Sequence, residues 1–418
     1  MDFAEEKFRW NEDKRLLQNN NRVILSNKDG AWIKISKECY EIINKSIREK
    51  ISESSLLNAF EDKEDSLYFT ELLTKLKEMC IIELDNVKKE KKKIEVYLVL
   101  TNRCNLRCSH CCISANESII GEHFSTTEMF SVIDKILELE PDSITISGGE
   151  PLVREDVYEI LEYLSSKFKG TVILMTNGIL INEGNIHKII PYVSNIDISI
   201  DGVDEKSCSL IRGKGVFTMV LETVKLLHKN NFHKISLSMV FGSQNLHLMD
   251  DFYRLNEEYN TKAIPRIFAA IGRGKEVADK FVKKEDRDSD YEDITVTDGS
   301  IANELAVGGC DAIKSGFTID YTGYIYPCSL LIKDKYILGD INKIDNLKDW
   351  YDNKDFDEKN YKNFLQLYPN NHPKCKDCNV NLFCWGCLEV LDRLNDDRVQ
   401  WDRKCKKNKC ILNKVLWS

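Results

Sequence analysis

The amino-acid sequence predicts an α/β protein in which a partial (β/α)6 barrel is preceded by a small winged-helix-like domain and followed by a cysteine-rich domain. The barrel is predicted because strand-like apolar runs alternate with helical patterns in six units between Ile94 and Glu276, and this alternation is typical of a parallel sheet. The first domain is predicted from a hairpin signal and three helical patterns within residues 1–85. The last is predicted from eight cysteines that begin at Cys310.

Composition narrows the class of protein. A chain of 418 residues with 42% hydrophobic residues has room for about three domains. The net charge of −9 makes nucleic acid an unexpected partner. The acidic start lacks the apolar core of a secretory signal, and no apolar run approaches the ~18 residues of a membrane span. We therefore expect a cytoplasmic protein with no membrane partner. Its fifteen cysteines indicate metal ligation in a reducing compartment and not a disulfide framework.

Residues 1–85 contain two alternating runs, Arg22–Ser26 and Ala31–Ser36, with Asp29-Gly30 between them. An Asp-Gly pair in this position predicts a β-hairpin. The predicted segments that follow are the helices Lys37–Ile47, Ser52–Phe60 and Ser66–Met79 and the strand Cys80–Leu84. The charged stretch 86–93 predicts a linker. A plain structural cap on the barrel is the alternative to a binding domain.

The barrel is predicted over residues 94–300. Its predicted strands are Glu95–Thr101, Ser143–Ser147, Thr171–Thr176, Asn195–Ile200, Lys234–Phe241 and Ala263–Ala269. Its predicted helices are Thr126–Glu138, Glu155–Lys167, Asn185–Ile190, Phe217–Lys229 and Leu248–Glu258. Six units are too few for a closed eight-stranded barrel, and functional residues are expected at the C-terminal ends of the strands.

The loop after the first barrel strand, TNRCNLRCSHCC, carries Cys104, Cys108 and Cys111 in the spacing C-x3-C-x2-C. Three thiolates can hold three irons of a four-iron cluster, and the fourth iron is then open to a small molecule. A zinc site is the alternative, but structural zinc takes four protein ligands and three cysteines fit it poorly. Cys112 is interpreted as an ordinary buried thiol, and Cys208 as an incidental cysteine on a surface-like stretch.

This triplet, with His110 before its last cysteine, resembles the signature of the radical S-adenosylmethionine (radical SAM) superfamily. The resemblance implies that the open iron chelates the amino and carboxylate groups of SAM, and that one electron then cleaves SAM to a 5′-deoxyadenosyl radical. In this reading Cys104, Cys108 and Cys111 are the catalytic cluster ligands. A donor such as flavodoxin or ferredoxin supplies the electron.

Further barrel residues match positions of this superfamily. The pattern GGEP occurs as Gly148, Gly149, Glu150 and Pro151, where glycines allow close backbone approach and the glutamate receives the methionine amino group. By the same resemblance Ser199 helps bind SAM, Arg212 reaches its carboxylate, and Asn245 contacts its ribose or carboxylate. The stretch 272–274 stands where the family contacts adenine, with an ordinary loop as the alternative.

The C-terminal region, residues 301–418, resembles the SPASM extension of radical SAM enzymes, which carries auxiliary iron–sulfur clusters. The resemblance implies two sets of ligands: Cys310, Cys328 and Cys387 for a first auxiliary cluster, and Cys375, Cys378, Cys384 and Cys405 for a second. The first set has only three members, so either one iron is open or Cys410 completes it; Cys405 and Cys410 could also exchange roles. Zinc sites are the alternative.

Together the three regions resemble maturases of ribosomally made peptides. In such enzymes a domain like residues 1–85 binds the leader of the precursor peptide as an added strand. The resemblance implies three 4Fe-4S clusters, SAM, and hydrogen abstraction from the peptide followed by crosslinking, with a cysteine thioether as first choice. Carbon–carbon crosslinking, formylglycine formation as in sulfatase maturation, and a non-catalytic iron–sulfur scaffold are the alternatives.

Overall fold

The computed structural model describes residues 6–85, 93–116, 121–281, 305 and 307–418. They divide into two compact units, each built from separated stretches of chain. The terminal unit comprises Met1–Lys91, Glu292–Cys310 and Gln366–Ser418, and the barrel unit comprises Lys92–Tyr291 and Asp311–Leu365. The predicted linker, apart from its last residue, and the predicted boundary near residue 300 lie outside the described residues. The predicted domain limits therefore stay a prediction.

The terminal unit begins with two small antiparallel sheets and three helices. Its elements are β1 Phe8–Trp10, β2 Arg15–Asn19, β3 Arg22–Ser26, β4 Trp32–Ser36, α1 Lys37–Arg48, α2 Glu53–Asn58, α3 Lys63–Glu78 and β5 Ile82–Leu84. One sheet has the order β2-β3-β4, and the other pairs β1 with β5. The predicted hairpin is present as β3 and β4. Strand β2 was not predicted because its sequence, RLLQN, does not alternate.

The three helices begin where a polar side chain caps each N-terminus. Ser36, Ser52 and Asp62 accept a hydrogen bond from the first turn of α1, α2 and α3, respectively. Such caps satisfy N–H groups that lack a partner within the helix. Helix α3 buries Leu72, Leu73 and Leu76 in a core that also holds residues of β3 and β4, so this part of the unit has its own hydrophobic centre.

The barrel unit is organised on parallel strands. They are β6 Glu95–Val99, β7 Ser143–Ser147, β8 Thr171–Thr176, β9 Asn195–Ser199, β10 Ile235–Phe241 and β11 Lys262–Ile267. The strands are adjacent in this order and every neighbouring pair is parallel. All six predicted strands are present, with ends that differ by at most two residues. The predicted partial barrel is confirmed.

Helices occupy the crossovers, as parallel pairing requires. They are α4 Thr126–Glu138, α5 Val157–Lys167, α6 Glu205–Arg212, α7 Val216–Lys229, α8 Met249–Glu258 and α9 Ala278–Phe281. The predicted helix 185–190 is only a 3₁₀ turn, Ile186–Lys188. Helix α6 was not predicted; it begins at a capping box formed by Asp204 and Ser207, and it carries Arg212 at its end.

The sheet continues beyond the barrel strands. Strand β12, Gly316–Ile319, pairs in parallel with β6. Strands β13, Tyr324–Tyr326, and β14, Gly339–Asp340, then add in antiparallel order. Helices α10, Leu347–Asn353, and α11, Glu358–Leu365, complete the unit. These strands are two to four residues long, too short for sequence periodicity to reveal.

The C-terminal part of the terminal unit contains helices α12, Leu388–Asn395, and α13, Arg398–Trp417. Together with residues 380–383 it forms a second core with Leu17 of β2 and Ile24 of β3. The other face of this sheet supplies Val23, Leu25 and Ile35 to the first core. The sheet of the N-terminal domain is therefore buried on both faces.

Candidate functional site

Several of the predicted site residues lie at the C-terminal ends of the parallel strands of the barrel unit. The cysteine loop follows β6, the glycine pair follows β7, Asn177 follows β8 and Asp201 follows β9. C-terminal ends of neighbouring parallel strands share one edge of a sheet, which is where α/β folds place ligands. Asn177 already joins two of these elements, because its side chain donates to Asn105 of the cysteine loop at 2.8 Å.

The three cysteines of the loop lie together in a shielded position. Cys104 and Cys108 are each 8% exposed and Cys111 is half-buried. Burial raises the pKa of Cys104 to about 11, and the other two thiols act in the same direction, whereas a hydrogen bond from the Leu106 backbone N–H at 3.3 Å opposes it. Thiols held this way need a metal or cluster to become thiolates at neutral pH.

Gly148 and Gly149 are required by the cysteine loop itself. A Cβ on Gly148 would lie 2.7 Å from the carbonyl oxygen of Thr101, and one on Gly149 would lie 2.3 Å from that of Arg103. Their neighbourhood is locked by backbone hydrogen bonds from Gly149 to Thr101 at 2.8 Å and from Glu150 to Arg103 at 2.9 Å. The close approach predicted for these glycines is therefore made to the loop that carries the cysteines.

Arg273 holds the same loop from the other side. Its Nε donates to the carbonyl oxygen of Cys108 at 3.0 Å, its Nη1 donates to that of Ala115 at 2.5 Å, and its backbone N–H donates to that of Cys111 at 3.0 Å. Gly272 adopts a φ of 55° and would clash with Cys111 if it carried a Cβ. Sequence reasoning noted this stretch only as a backbone element and missed the role of the guanidinium.

Glu150 is completely buried and accepts three hydrogen bonds from its own unit. The donors are the backbone N–H of Leu152 at 3.1 Å, the hydroxyl of Thr176 at 2.8 Å and the backbone N–H of Asn177 at 2.7 Å. Burial raises the pKa of Glu150, and these donors oppose the rise. The carboxylate of Glu150 therefore links the end of β7 to the end of β8, independently of any contact with SAM.

Asp201 joins three elements that were not predicted to meet. Its Oδ2 lies 2.7 Å from Nε2 of His110 and accepts from Nε of Arg212 at 2.8 Å, and its Oδ1 accepts from the backbone N–H of Val240 at 2.7 Å. Burial would raise the pKa of Asp201, but Arg212 and His110 lower it well below its usual range. The sequence interpretation left Asp201 open, since Asp before Gly is common in turns.

Arg212 faces the cysteine loop in this arrangement. Besides its contacts with Asp201, its Nη1 lies 3.7 Å from the sulfur of Cys108. Burial lowers the pKa of Arg212, but the negative charge of Asp201 and its hydrogen bond raise that pKa above its usual value. The predicted role of Arg212 toward a SAM carboxylate stays a prediction, and its ion pair with Asp201 fixes where the guanidinium can reach.

Ser199 and Asn245 occupy less distinctive positions. Ser199 is half-buried at the end of β9 and accepts from the hydroxyl of Ser238 at 3.4 Å. Asn245 accepts from the backbone N–H of Gly242 at 2.7 Å and donates to the carbonyl oxygen of Val240 at 2.9 Å. Both ends of the Asn245 amide are therefore used to shape the turn after β10, and its contact with SAM stays a prediction.

The donor set of the loop suits an iron–sulfur cluster. Three thiols from one short segment lie beside buried polar atoms that have no hydrogen-bond partner among the described residues, namely Asn102 Oδ1, Ser109 Oγ and His110 Nδ1. Thiolates are the usual ligands of such clusters. In the part of the chain that is described, no three His, Cys, Asp or Glu side chains are arranged to hold a single metal ion.

A second group of cysteines lines a pocket within the terminal unit. Cys375, Cys378, Cys384 and Cys405 all border it, together with Trp401 and apolar residues of α12. Burial raises the pKa of Cys375 to about 11 and that of Cys384 to about 12, and the neighbouring thiols act in the same direction. The cysteines predicted to hold the second auxiliary cluster are thus brought to one place.

The cysteines assigned to the first auxiliary cluster are spread over both units. Cys310 and Cys387 belong to the terminal unit, where they influence each other electrostatically. Cys328 follows β13 in the barrel unit. Cys410 is exposed on α13 and does not border the pocket of Cys405. Which residue completes the first set stays a prediction.

Two other cysteines lie near the site. The surface of Cys112 is exposed in the turn after the loop, whereas burial raises the pKa of its thiol to about 11, so its interpretation as a buried thiol stays a prediction. Cys208, expected on the surface, is fully buried because α6 packs it against the end of β9, where its thiol donates to the carbonyl oxygen of Ile200 at 3.0 Å. Gly202 makes room for it, since a Cβ there would lie 2.3 Å from the Cys208 backbone nitrogen.

Glu150 allows a direct test of the SAM site. Replacing it with alanine should weaken SAM binding by about tenfold or more, because a hydrogen bond to a charged group contributes ~1.5–3 kcal/mol, while the iron content stays unchanged. Calorimetry with SAM measures the affinity. Thr176→Val is the matched control: it removes one donor to Glu150 and should lower the melting temperature alone. Equal SAM affinity in Glu150→Ala and wild type would limit Glu150 to a structural role.

Within the described residues, no helix combines the length and apolar composition that a bilayer crossing requires.

Comparison with protein families gives two matches. Residues 98–255 match the radical SAM superfamily, and residues 310–379 match the SPASM iron–sulfur cluster-binding domain. The first match begins in β6 and includes the cysteine loop, the glycine pair, Asp201 and Arg212. The second begins at Cys310 and includes Cys375 and Cys378.

Several curated proteins are similar to part of this chain. The mycofactocin maturase MftC of Mycolicibacterium smegmatis is 30% identical over 261 residues, which cover 58% of this chain and 66% of the relative, just under two thirds of its length. The subtilosin biosynthesis protein AlbA of Bacillus subtilis, named for an antilisterial bacteriocin, is 25% identical over 351 residues, 76% of each chain. AdoMet-dependent heme synthases match as well.

Among solved structures, Streptococcus suis SuiB bound to S-adenosylmethionine is similar, with a TM-score of 0.54, 17% identity, and coverage of 92% of this chain and 96% of SuiB. SuiB has also been solved with its precursor peptide SuiA. At this identity the likeness establishes the fold, and it extends over nearly the whole chain.

Proposed function

Because this chain belongs to the radical SAM superfamily and carries a SPASM iron–sulfur cluster-binding domain, we propose that it is a maturase that crosslinks a ribosomally made precursor peptide. The observation that carries the proposal is the second cysteine site: the four-cysteine pocket of the terminal unit accompanies the three-cysteine loop of the barrel unit. Names of relatives, MftC and AlbA, and the SuiB–SuiA complex support a peptide as substrate.

The proposed cofactors are SAM and three 4Fe-4S clusters, one on Cys104, Cys108 and Cys111 and two auxiliary. When bound, the loop cluster and SAM supply the 5′-deoxyadenosyl radical, with flavodoxin or ferredoxin as proposed electron donor. The chain's own residues hold the loop in place. Arg273 binds its carbonyl groups, the glycine pair packs against it, and Asp201 keeps Arg212 beside Cys108.

A thioether is the proposed product. Joining a cysteine sulfur to a peptide carbon removes one hydrogen atom, one electron and one proton from the peptide. The hydrogen atom goes to the deoxyadenosyl radical, the electron to an auxiliary cluster and the proton to solvent. The cysteine triplet Cys310, Cys328 and Cys387 would leave an iron open to the substrate thiolate, since thiolates are good iron ligands.

The experiment first searches beside this gene for a short cysteine-rich open reading frame. Its product is then used as the precursor peptide in an anaerobic reaction of the reconstituted enzyme with SAM and dithionite. We expect 5′-deoxyadenosine and a peptide that has lost two hydrogen atoms and one alkylatable thiol. The same peptide with Cys→Ser should not be crosslinked. Loss of two hydrogens from the Cys→Ser peptide would favour a carbon–carbon crosslink, and absence of 5′-deoxyadenosine would leave only a scaffold role.

The leader is proposed to bind an edge of the sheet in residues 1–85, because both faces of that sheet are covered. The backbone N–H of Lys37 donates to the carbonyl oxygen of Asn21 at 2.8 Å. In the register of β3 and β4, these two residues are therefore a pair whose backbone groups point toward each other. Antiparallel pairs alternate, so the register turns the backbone groups of Trp32 and Lys34 outward on β4. The same rule turns those of Leu16 and Gln18 outward on β2.

Proline at an outward position tests strand addition. Gln18→Pro and Lys34→Pro each remove one outward N–H without breaking the ladder to β3, so the variant on the binding edge should lose about 2- to 12-fold in leader affinity, the equivalent of one hydrogen bond of ~0.5–1.5 kcal/mol. Fluorescence polarisation of a labelled leader measures it.

Gln18→Ala and Lys34→Ala are the controls, because they change the side chains and retain the N–H groups. Leader affinity unchanged in both folded proline variants would rule out strand addition at this sheet. Deleting residues 1–85 is a poorer test, since Leu17 and Ile24 share a core with Leu412 and Leu416 of α13, and deletion would expose that core.

A further inference from the structure

The pocket of Cys375, Cys378, Cys384 and Cys405 is lined by positive charge. Besides the cysteines and apolar residues, its lining includes Lys374, Lys404 and Lys409, and no carboxylate belongs to the described lining. Four thiolates around an iron–sulfur core form an anionic group, so this charge has the sign that an auxiliary cluster would attract.

The three lysines differ in how well water screens them. Lys374 is exposed, with an ion pair to Asp402 at 3.1 Å and its ammonium 5.5 Å from the centre of the Trp401 ring. Lys409 is exposed on α13. Lys404, on the same helix and directly before Cys405, is only 7% exposed. Salt and water weaken the field of exposed charges, whereas a buried charge acts through a medium of lower dielectric constant.

We propose that Lys404 sets the reduction potential of the auxiliary cluster held by Cys375, Cys378, Cys384 and Cys405, which makes it a positioning residue that acts through the cluster and not a catalytic residue. The inference rests on the proposed function, because it requires a cluster in this pocket.

The positive charge of Lys404 determines the direction in which it shifts the reduction potential. Reduction adds one negative charge to the cluster, and a buried ammonium beside it stabilises the reduced form more than the oxidised form. Lys404 therefore raises the potential and makes the cluster a better acceptor for the electron that crosslinking removes from the peptide. Without this charge, we expect the ratio of reduced to oxidised cluster at a given potential to fall by about tenfold, which for a one-electron couple is ~59 mV.

The test is a redox titration followed by electron paramagnetic resonance, which reads the cluster and needs no substrate. It uses the full chain with Cys104, Cys108 and Cys111 replaced by alanine, so that the SAM cluster does not contribute. Cys375→Ala in this background identifies the signal. Lys404→Met is the test variant, Lys404→Arg retains the charge, and Lys409→Met removes an exposed charge from the rim of the same pocket.

We expect Lys404→Met to move the midpoint to a more negative value, and Lys404→Arg and Lys409→Met to leave it near that of the parent. Equal midpoints in Lys404→Met and parent, or equal shifts in Lys404→Met and Lys409→Met, overturn the role of Lys404 alone. If Lys404→Met loses the cluster while Lys404→Arg keeps the cluster and its midpoint, the charge of Lys404 is required for cluster assembly. That result overturns the proposed effect on the reduction potential. Absence of any signal that depends on Cys375 overturns the cluster itself, and with it the proposed electron acceptor.

Discussion

Replacing Cys104, Cys108 and Cys111 with alanine is expected to abolish SAM cleavage and to remove about a third of the iron, about four of about twelve atoms per chain. The two buried thiols and the half-buried Cys111 lie on one loop. Without them Cys112 is the one cysteine left on that loop, which is too few to hold the cluster. Iron analysis and a 5′-deoxyadenosine assay measure the two effects.

Cys112 provides the matched control for this experiment. It is adjacent to the triplet but outside the C-x3-C-x2-C spacing, so Cys112→Ala should keep both the iron and the SAM cleavage. Full iron content in the triple variant would mean that the loop does not hold a cluster. Loss of iron in Cys112→Ala would instead place Cys112 among the ligands.

The double variant Cys375→Ala/Cys378→Ala is expected to lose about four irons and to stop forming crosslinked peptide, while cleavage of SAM without peptide continues. These cysteines line the pocket of the terminal unit, whereas the residues proposed to bind SAM belong to the barrel unit. Chemistry on SAM should therefore survive the loss of the electron acceptor. Iron analysis and mass spectrometry of the peptide separate the two activities.

The variant Cys410→Ala tests whether Cys410 is a ligand of the first auxiliary cluster. Cys410 is exposed and outside the pocket, so we expect it to keep its iron. Loss of about four irons would make Cys410 a ligand and close the proposed open iron, and thioether formation would then need electron transfer without a bound substrate thiolate. Zinc in place of iron in the wild-type pocket would contradict the auxiliary cluster and the crosslinking mechanism together.

Local sequence patterns were sufficient to predict the strand–helix alternation, and the cysteine spacings can be read directly from the sequence. Strands such as Ser143–Ser147 and Thr171–Thr176 were predicted at their exact bounds, because apolar periodicity and flanking turn residues are local properties of the chain. The predicted cluster ligands are also a local property of the chain, because three cysteines on one short loop must lie close together. The hairpin of β3 and β4 followed from Asp29-Gly30 for the same reason.

Contacts between side chains from distant parts of the chain depend on the three-dimensional fold and could not be predicted from local patterns. Asp201, His110 and Arg212 come from three separate elements and form one ion-paired group because β9, α6 and the cysteine loop end at the same edge of the sheet. Arg273 reaches the loop in the same way after β11.

The burial of charged side chains also depends on the tertiary structure. Lys404 looks like an ordinary charged residue in the sequence, and Glu150 was singled out only by its GGEP pattern, yet both are enclosed. Enclosure strengthens the electrostatic effect of a charge in a protein. It depends on residues packed around a side chain from all directions, which no local pattern records.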